Sequence, residues 1–285
     1  MVPIFASPAI QALARKAVHL AKFDVPVLVL GETGTGKEVF ANLIHGNSPR
    51  AAGPKVSLNC AALPADLIES ELFGAQRGAY TGSVTSRLGL FRAASGGTLF
   101  LDELSEMPAQ AQSKLLRTLQ DSRVRSLGSD RDEFVDVRIV AAMNVDPAAA
   151  IKSGKLRADL YHRLAAFTLE IPPLRERPED LGALAAQFLA AEAKRHKLPV
   201  PVLSPEILLD LQTRPWTGNC RELFGWLSRL LLLGTIPDAC LDEAALRAVW
   251  AEAGNVTQFS EALGVNRDGG RAKLAALGIT LKEVA

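Results

Sequence analysis

The sequence predicts an α/β fold in which a parallel sheet is covered by helices and followed by purely helical segments. Three observations carry this. Over the first two-thirds of the chain short apolar runs alternate with amphipathic helical stretches, the pattern of strands joined by helical crossovers. One apolar run passes directly into a glycine-rich turn that opens a helix, the place where parallel sheets bind ligands. Beyond Pro172-Pro173 the strand pattern stops and only helical spacing continues.

From Ser7 to Lys22, Ile10, Leu13, Ala17 and Leu20 recur at helical spacing, and Pro26 then opens the strand Val27-Leu30. A helix is expected from Lys37, and further strands at Val56-Leu58, Thr98-Leu101, Arg138-Ala142 and Phe167-Ile171, with Ala109-Gln120 among the intervening helices. Arg123-Ser126 and Phe134-Val137 flank a polar turn and predict a small hairpin. Past the prolines, one helix is read from Pro178 to His196. Ser204-Pro205-Glu206 caps the next, and Asn219 to Leu232 forms a third after the turn Trp216-Thr217-Gly218. Composition shifts again at Pro237-Asp238, after which Leu241 to Ala285 reads as three short helices broken at Gly254 and Gly264. The expected domains are therefore 1–173, 174–237 and 238–285.

Composition narrows the function classes. The 285 residues carry a formal net charge of +1, so a whole-surface basic field for nucleic acid is absent and any DNA contact must be local. Cys60, Cys220 and Cys240 are too few and too far apart for a disulfide framework or a CxxC site, and His19, His45, His162 and His196 lack metal-ligand spacing. The longest apolar stretch, Leu227-Ile236, contains Arg229 and falls short of the roughly 20 residues a membrane span needs. With no basic-then-apolar leader pattern either, a cytoplasmic location without membrane contact is expected.

The strand Val27-Leu30 runs into Gly31-Glu32-Thr33-Gly34-Thr35-Gly36-Lys37, and a helix starts there. Glycines let backbone N–H groups turn around phosphate oxygens, the helix N-terminus adds positive potential, and Lys37 supplies a mobile cation for the β- and γ-phosphates of ATP. The hydroxyl that usually follows the lysine as a Mg²⁺ ligand is replaced by Glu38, which shifts metal binding toward a second motif. That motif is Gly97-Thr98-Leu99-Phe100-Leu101-Asp102-Glu103, a strand ending in two carboxylates. Asp102 is placed to hold Mg²⁺ through water, and Glu103 to polarise the attacking water. Asn144 ends the next apolar strand, where its amide is either a γ-phosphate sensor, a water-orienting group or an ordinary turn residue.

Between two buried runs lies Gly78-Ala79-Tyr80-Thr81-Gly82-Ser83, which taken locally is a surface turn with Tyr80 folded back as a packing anchor. Taken together, the motifs resemble the AAA+ ATPase domain of bacterial enhancer-binding proteins, the activators of sigma-54 RNA polymerase. The resemblance spans about residues 4 to 235. It rests on the Lys37-Glu38 variant of the phosphate loop, Ser57-Leu58-Asn59-Cys60-Ala61-Ala62, Glu71-Leu72-Phe73-Gly74, the GAYTGS hexapeptide, Gly96 to Glu103, LRADLYHRL from Leu156 to Leu164, PPLRER from Pro172 to Arg177, and WTGNCREL from Trp216 to Leu223.

The resemblance implies an ATP-hydrolysing transcriptional activator that forms a ring, usually a hexamer, with each site between subunits. It implies that Asn59 holds Glu103 until the γ-phosphate is read, that Arg157 and Arg163 are arginine fingers entering the neighbouring site, and that Arg221 reaches the nucleotide from a helical lid. A planar guanidinium supplied in trans suits charge developing on a transferring phosphoryl group. In the family the hexapeptide reads GAFTGA and projects from the ATPase body to touch the sigma factor, its glycines acting as pivots. Here Tyr80 stands for Phe and Ser83 for Ala, and Ala75-Gln76 occupy the place of His-Glu.

Residues 241 to 279 resemble a Fis-type helix-turn-helix, with Ala262-Leu263-Gly264-Val265 as the turn and Asn266, Arg267, Arg271 and Lys273 as the DNA-facing residues of the recognition helix. Gly269-Gly270 within that helix cost on the order of 1 kcal/mol each and offer no side chain to a base, which leaves a degenerate packing tail as the alternative. Relatives often carry a regulatory domain before the ATPase. Control by a separate protein in trans, constitutive competence and truncation are all compatible with the sequence. Two other functions remain open at this level: an AAA+ remodeller of a different client, and a non-hydrolysing DNA-binding adaptor. A gel shift with residues 241–285 tests the tail, which binds duplex DNA in a steeply salt-dependent manner if it is a true reader. Absent or salt-insensitive binding identifies a degenerate module.

Overall fold

The structure is a computed structural model and describes residues 5–78, 86–233, 250–251 and 255–258. These fall into two compact units, one from Ser7 to Pro173 and the other from Leu174 on together with the short segment before Ser7. The first unit contains α1 (Pro8–Ala21), β1 (Val27–Leu30), α2 (Lys37–Gly46), β2 (Lys55–Asn59), α3 (Ala65–Phe73), β3 (Gly74–Ala75), β4 (Arg87–Leu88), α4 (Leu90–Ala93) and β5 (Thr98–Asp102). It continues through α5 (Ala109–Asp121), β6 (Arg123–Arg125), β7 (Asp132–Phe134), β8 (Arg138–Met143), α6 (Pro147–Lys152), α7 (Ala158–Leu164) and β9 (Thr168–Glu170).

Five strands form a parallel sheet in the order β2-β5-β8-β1-β9. All six residues of the central β8 are buried, as a near-continuous apolar run requires when helices cover both faces. The register matters more than the order. Leu30 pairs with Met143 and Asn59 with Asp102, so the chain leaves β1, β2, β5 and β8 at one common edge, where Gly31, Asn59, Asp102-Glu103 and Asn144 follow or end those strands. Helix α1 begins where Ser7 accepts from the Ile10 N–H with Pro8 in the first turn, and buries Ile10, Ala14, Ala17, Leu20 and Ala21.

The predicted hairpin forms with a corrected second strand. Arg125 faces Asp132, not a residue beyond Phe134, and the two side chains form an ion pair of 2.7 Å across the hairpin. Val135, which reads as strand, instead turns into the core at 4% exposure, with its N–H bonded to Ser122 O.

The second unit is helical: α8 (Glu179–His196), α9 (Pro205–Thr213) and α10 (Asn219–Leu233). Its core is built on Trp216 and Trp226, in edge contact at 6.5 Å, and on the stacked rings of Phe188 and Phe224. The Trp216 indole N–H donates to Leu211 O, and the buried Asn219 accepts from the Leu174 N–H at 2.7 Å. The WTGN turn is thus fixed by two buried polar bonds that single partners could not replace.

In the first unit Arg138 plays a comparable role. It is buried at the start of β8, and its guanidinium donates to Ala21 O (2.7 Å), Leu20 O (3.0 Å) and Val25 O (3.3 Å), closing the C-terminus of α1. Arg138→Met should lower the unfolding free energy by about 2–3 kcal/mol, because it leaves three carbonyls short of a donor. Urea unfolding with an unchanged m-value checks this, and a loss below about 0.5 kcal/mol would contradict it.

Candidate nucleotide site

The loop between β1 and α2 is shaped by close approaches that only glycine permits. A Cβ on Gly31 would lie 2.9 Å from Thr35 Oγ1 and 3.1 Å from Ile171 O, and Gly36 enters α2 at φ 103°. Because Gly36 offers no side-chain cap, the amides and dipole of the α2 N-terminus present an anion-seeking end. The Lys37 ammonium is buried and folded over the loop, donating to Gly31 O at 2.8 Å and Glu32 O at 3.0 Å. Thr35 Oγ1 donates to Glu32 O, and Asn144 Nδ2 reaches Thr33 Oγ1 at 3.2 Å. Asn144, directly after one strand, is therefore bonded to the loop that follows another.

Beside this loop, Asp102 closes β5 and accepts the Glu103 N–H through Oδ1 at 3.0 Å. Glu103 sits in the left-handed region at φ 53°, ψ 49°, a conformation that costs a non-glycine residue roughly 1–2 kcal/mol. A short 3-10 turn, Leu104–Glu106, follows at once. Two carboxylates together with substrate phosphates are a donor set that suits Mg²⁺, with Asp102 the residue best placed to hold it.

Several expected site residues lie elsewhere or bond differently. Asn59 is in register with Asp102, yet its Oδ1 accepts from the Ala61 N–H at 2.8 Å, and no hydrogen bond joins it to Glu103. The local Asx-type turn captures that oxygen. Glu38 is exposed and turns to Lys55, 4.0 Å away, at the strand end opposite Asp102. Neighbouring Cys60 is a buried thiol pushed up to about 12 by desolvation and by the Asp102 and Glu103 charges, so it stays neutral and takes no part as nucleophile or ligand.

Arg157 caps the start of α7. Its guanidinium donates to Asp159 at 3.1 and 2.8 Å and to Ser113 Oγ at 2.9 Å, and the hydrogen bonds to Asp159 raise its pKa above the ordinary arginine value. Arg163 donates to Leu119 O at 3.4 Å and lines a cavity of about 400 Å³ with Asp24, Pro26 and Arg138. Those residues precede or open β1 and β8, so Arg163 stands at the sheet edge opposite the glycine loop. Arg221 is exposed on α10 of the helical unit.

Of the GAYTGS segment, Gly78 is described and has φ 81°, whereas Ala79, Tyr80, Thr81, Gly82 and Ser83 lie outside the described residues. The root of the segment is paired on both sides. Strand β3 meets β4, while Leu127 exchanges bonds with Gly74 O and the Gln76 N–H. Asn266, Arg267, Arg271 and Lys273 also lie outside the described residues. Asn255 and Gln258 are described: Asn255 Nδ2 donates to Gln258 Oε1 at 2.8 Å, and Asn255 Oδ1 accepts from the Gln258 N–H at 2.9 Å, the bond an N-cap side chain makes. Sequence reasoning missed Gln112, a buried amide on α5 whose only signal was one polar residue among the apolar positions of an amphipathic helix.

A strand, a glycine-lined loop, a helix N-terminus with its lysine, and two strand-end carboxylates define the nucleotide site of a P-loop NTPase. The chain belongs to the family described as the Sigma-54 interaction domain, which matches residues 4–170, and the AAA+ ATPase lid domain matches residues 175–262. Among curated relatives, the transcriptional regulatory protein GlrR of Escherichia coli (strain K12) is 47% identical over 241 residues, covering 84% of this chain and 54% of that protein. The C4-dicarboxylate transport transcriptional regulatory protein DctD of Rhizobium meliloti (strain 1021) is 42% identical over 292 residues, covering 96% of this chain and 64% of that protein. The chain thus spans about half the length of the curated relatives it matches. A crystal structure of NtrX from Brucella abortus in complex with ATP superposes with a TM-score of 0.77 at 29% identity, over 98% of this chain and 69% of that one.

Lys37→Ala should weaken binding of a fluorescent ATP analogue at least ~10-fold, the equivalent of about 1.4 kcal/mol. Unchanged affinity in an equilibrium titration would place the phosphates somewhere other than this loop.

Proposed function

We propose that this chain is an ATPase that assembles into a ring and spends hydrolysis on remodelling the closed complex of sigma-54 RNA polymerase through its GAYTGS loop. The observation that carries the reading is the convergence of the glycine loop, Asp102, Glu103 and Asn144 on one sheet edge, with Arg163 on the other. Strands of four to six residues at ~3.3 Å each hold the two edges roughly 13–20 Å apart. Arg163 is therefore suited to a neighbour's site and not to its own, which favours hydrolysis shared between subunits.

In this mechanism the loop amides and Lys37 bind and orient the triphosphate, and Asp102 is the residue that would hold Mg²⁺. The metal, when bound, neutralises charge on the β- and γ-phosphates. Glu103 accepts the proton of the attacking water, and Asn144, anchored to Thr33, orients that water or the γ-phosphate. Arg157 and Arg163 of the adjoining subunit stabilise the transferring phosphoryl group, and Arg221 reports nucleotide state to the lid. Asn59, whose Oδ1 accepts the Ala61 N–H here, is the residue that would hold Glu103 until the γ-phosphate is read. The output passes through residues 74–76, which are paired to β4 and to Leu127 and root the hexapeptide on the ATPase body. Tyr80 and Thr81 then meet the sigma factor, and a C-terminal helix-turn-helix places the ring on enhancer DNA in the cytoplasm.

Glu103→Gln should retain ATP binding while turnover falls by about 10²–10⁴, the scale of a lost general base. Retained turnover would remove Glu103 from the chemistry. Pull-down of sigma-54 should succeed only with ADP plus a metal fluoride, and Tyr80→Ala should abolish that complex while ATP hydrolysis persists. A complex that ignores nucleotide, or none at all with the wild-type chain, contradicts the sigma-54 reading. Loss of hydrolysis together with the complex would make Tyr80 a packing residue.

A further inference from the structure

We infer that Gln112 is a positioning residue that ties the backbone of Arg157 to the Asp102–Glu103 end of the sheet, so that the state of one site sets the finger offered to the next. This rests on the shared-site reading proposed above and deepens it.

Gln112 is 1% exposed on the buried face of α5, beside Ala111, Leu115 and Thr118. Its surroundings are apolar, and an amide is costly there unless it is bonded. It is bonded three times. Nε2 donates to Met107 O at 2.8 Å and to Lys155 O at 2.7 Å, and Oε1 accepts the Arg157 N–H at 2.9 Å. None of these partners is on α5, and two of them lie more than 40 residues along the chain.

The identity of the partners gives the bridge its meaning. Met107 ends the 3-10 turn that starts from left-handed Glu103, and the Glu106 N–H bonds back to Glu103 O at 2.9 Å. A change in Glu103 backbone therefore moves the Met107 carbonyl. On the far side, Lys155 and Arg157 form the entry to α7, and Arg157 is its N-cap, so the Arg157 N–H bond sets where the whole side chain begins. An outer ion pair, Lys155–Glu106 at 3.2 Å, joins the same two segments. A leucine would fill the volume of Gln112 but would leave two carbonyls and one N–H without this partner, so the amide serves linkage and not packing. Gln112 touches no nucleotide; it acts through Arg157.

Mixed rings test this with the full chain. Lys37→Ala chains keep a working finger but lose their own site, and Arg157→Ala chains keep a site but lose the finger. Mixing them should recover hydrolysis that neither shows alone. Gln112→Leu added to the Lys37→Ala chain should then cut the recovered rate by at least ~10-fold, whereas the same change added to the Arg157→Ala chain should alter it less than ~2-fold. Gln112→Glu, which keeps the acceptor for the Arg157 N–H but loses both donors, should show the same asymmetry. Folding is checked by nucleotide-analogue binding to the Gln112→Leu chain alone, expected within ~2-fold of a Gln112 chain with an intact Lys37. Equal losses in both placements, or loss of binding by both Gln112 variants, would make Gln112 a structural residue and overturn the inference alone. Failure of the parent pair to recover any hydrolysis would overturn the shared site, and the inference with it.

Discussion

The in-register parallel pairing of β2, β5, β8 and β1 is the constraint on which everything else in the nucleotide unit depends. Parallel strands deliver their C-terminal ends to one edge, and the pairing of Leu30 with Met143 and Asn59 with Asp102 brings four exits level. A slip of one residue would invert every side chain on the slipped strand and send Asp102 into a helix-covered face. The apolar content of β8, buried over its whole length, is what makes such a slip costly. Arg138, bonded to three carbonyls around α1, adds a polar stop at the start of the same strand.

At that edge the chain stores tension where chemistry is proposed. Glu103 is held left-handed between the last strand residue and a 3-10 turn, with its N–H on Asp102 and its carbonyl on Glu106. Such a conformation persists only where its surroundings hold it, here through bonds on both sides of the residue. Because Gln112 links the end of that turn to the start of α7, a local change near Asp102 has a packed, hydrogen-bonded route away from the site. The root of the GAYTGS segment is paired separately, to β4 and to Leu127.

How legible this was depends on the range of the interactions. The glycine loop, the Asp102-Glu103 strand end and the helices of the second unit were readable because their signals are local: glycine where a Cβ would clash, apolar runs, proline and serine at helix starts. The hairpin boundary was not, because Val135 looks like strand but is drawn into the core, and the pairing ends at Phe134. The expected Asn59–Glu103 contact competes with a bond two residues away, to Ala61, which motif spacing does not reveal. Gln112 was invisible because its meaning lies in backbone groups of Met107, Lys155 and Arg157 that only the folded chain assembles.

In the shared site proposed above, each chain holds an incomplete hydrolytic site that Arg163 of a neighbour completes. The most direct measurement is ATP hydrolysis per chain across a wide range of protein concentration, with ring formation followed in parallel by light scattering. A shared site requires a rate per chain that is negligible for the monomer and rises cooperatively as the assembly forms. A constant rate per chain down to concentrations where only monomer exists would contradict it.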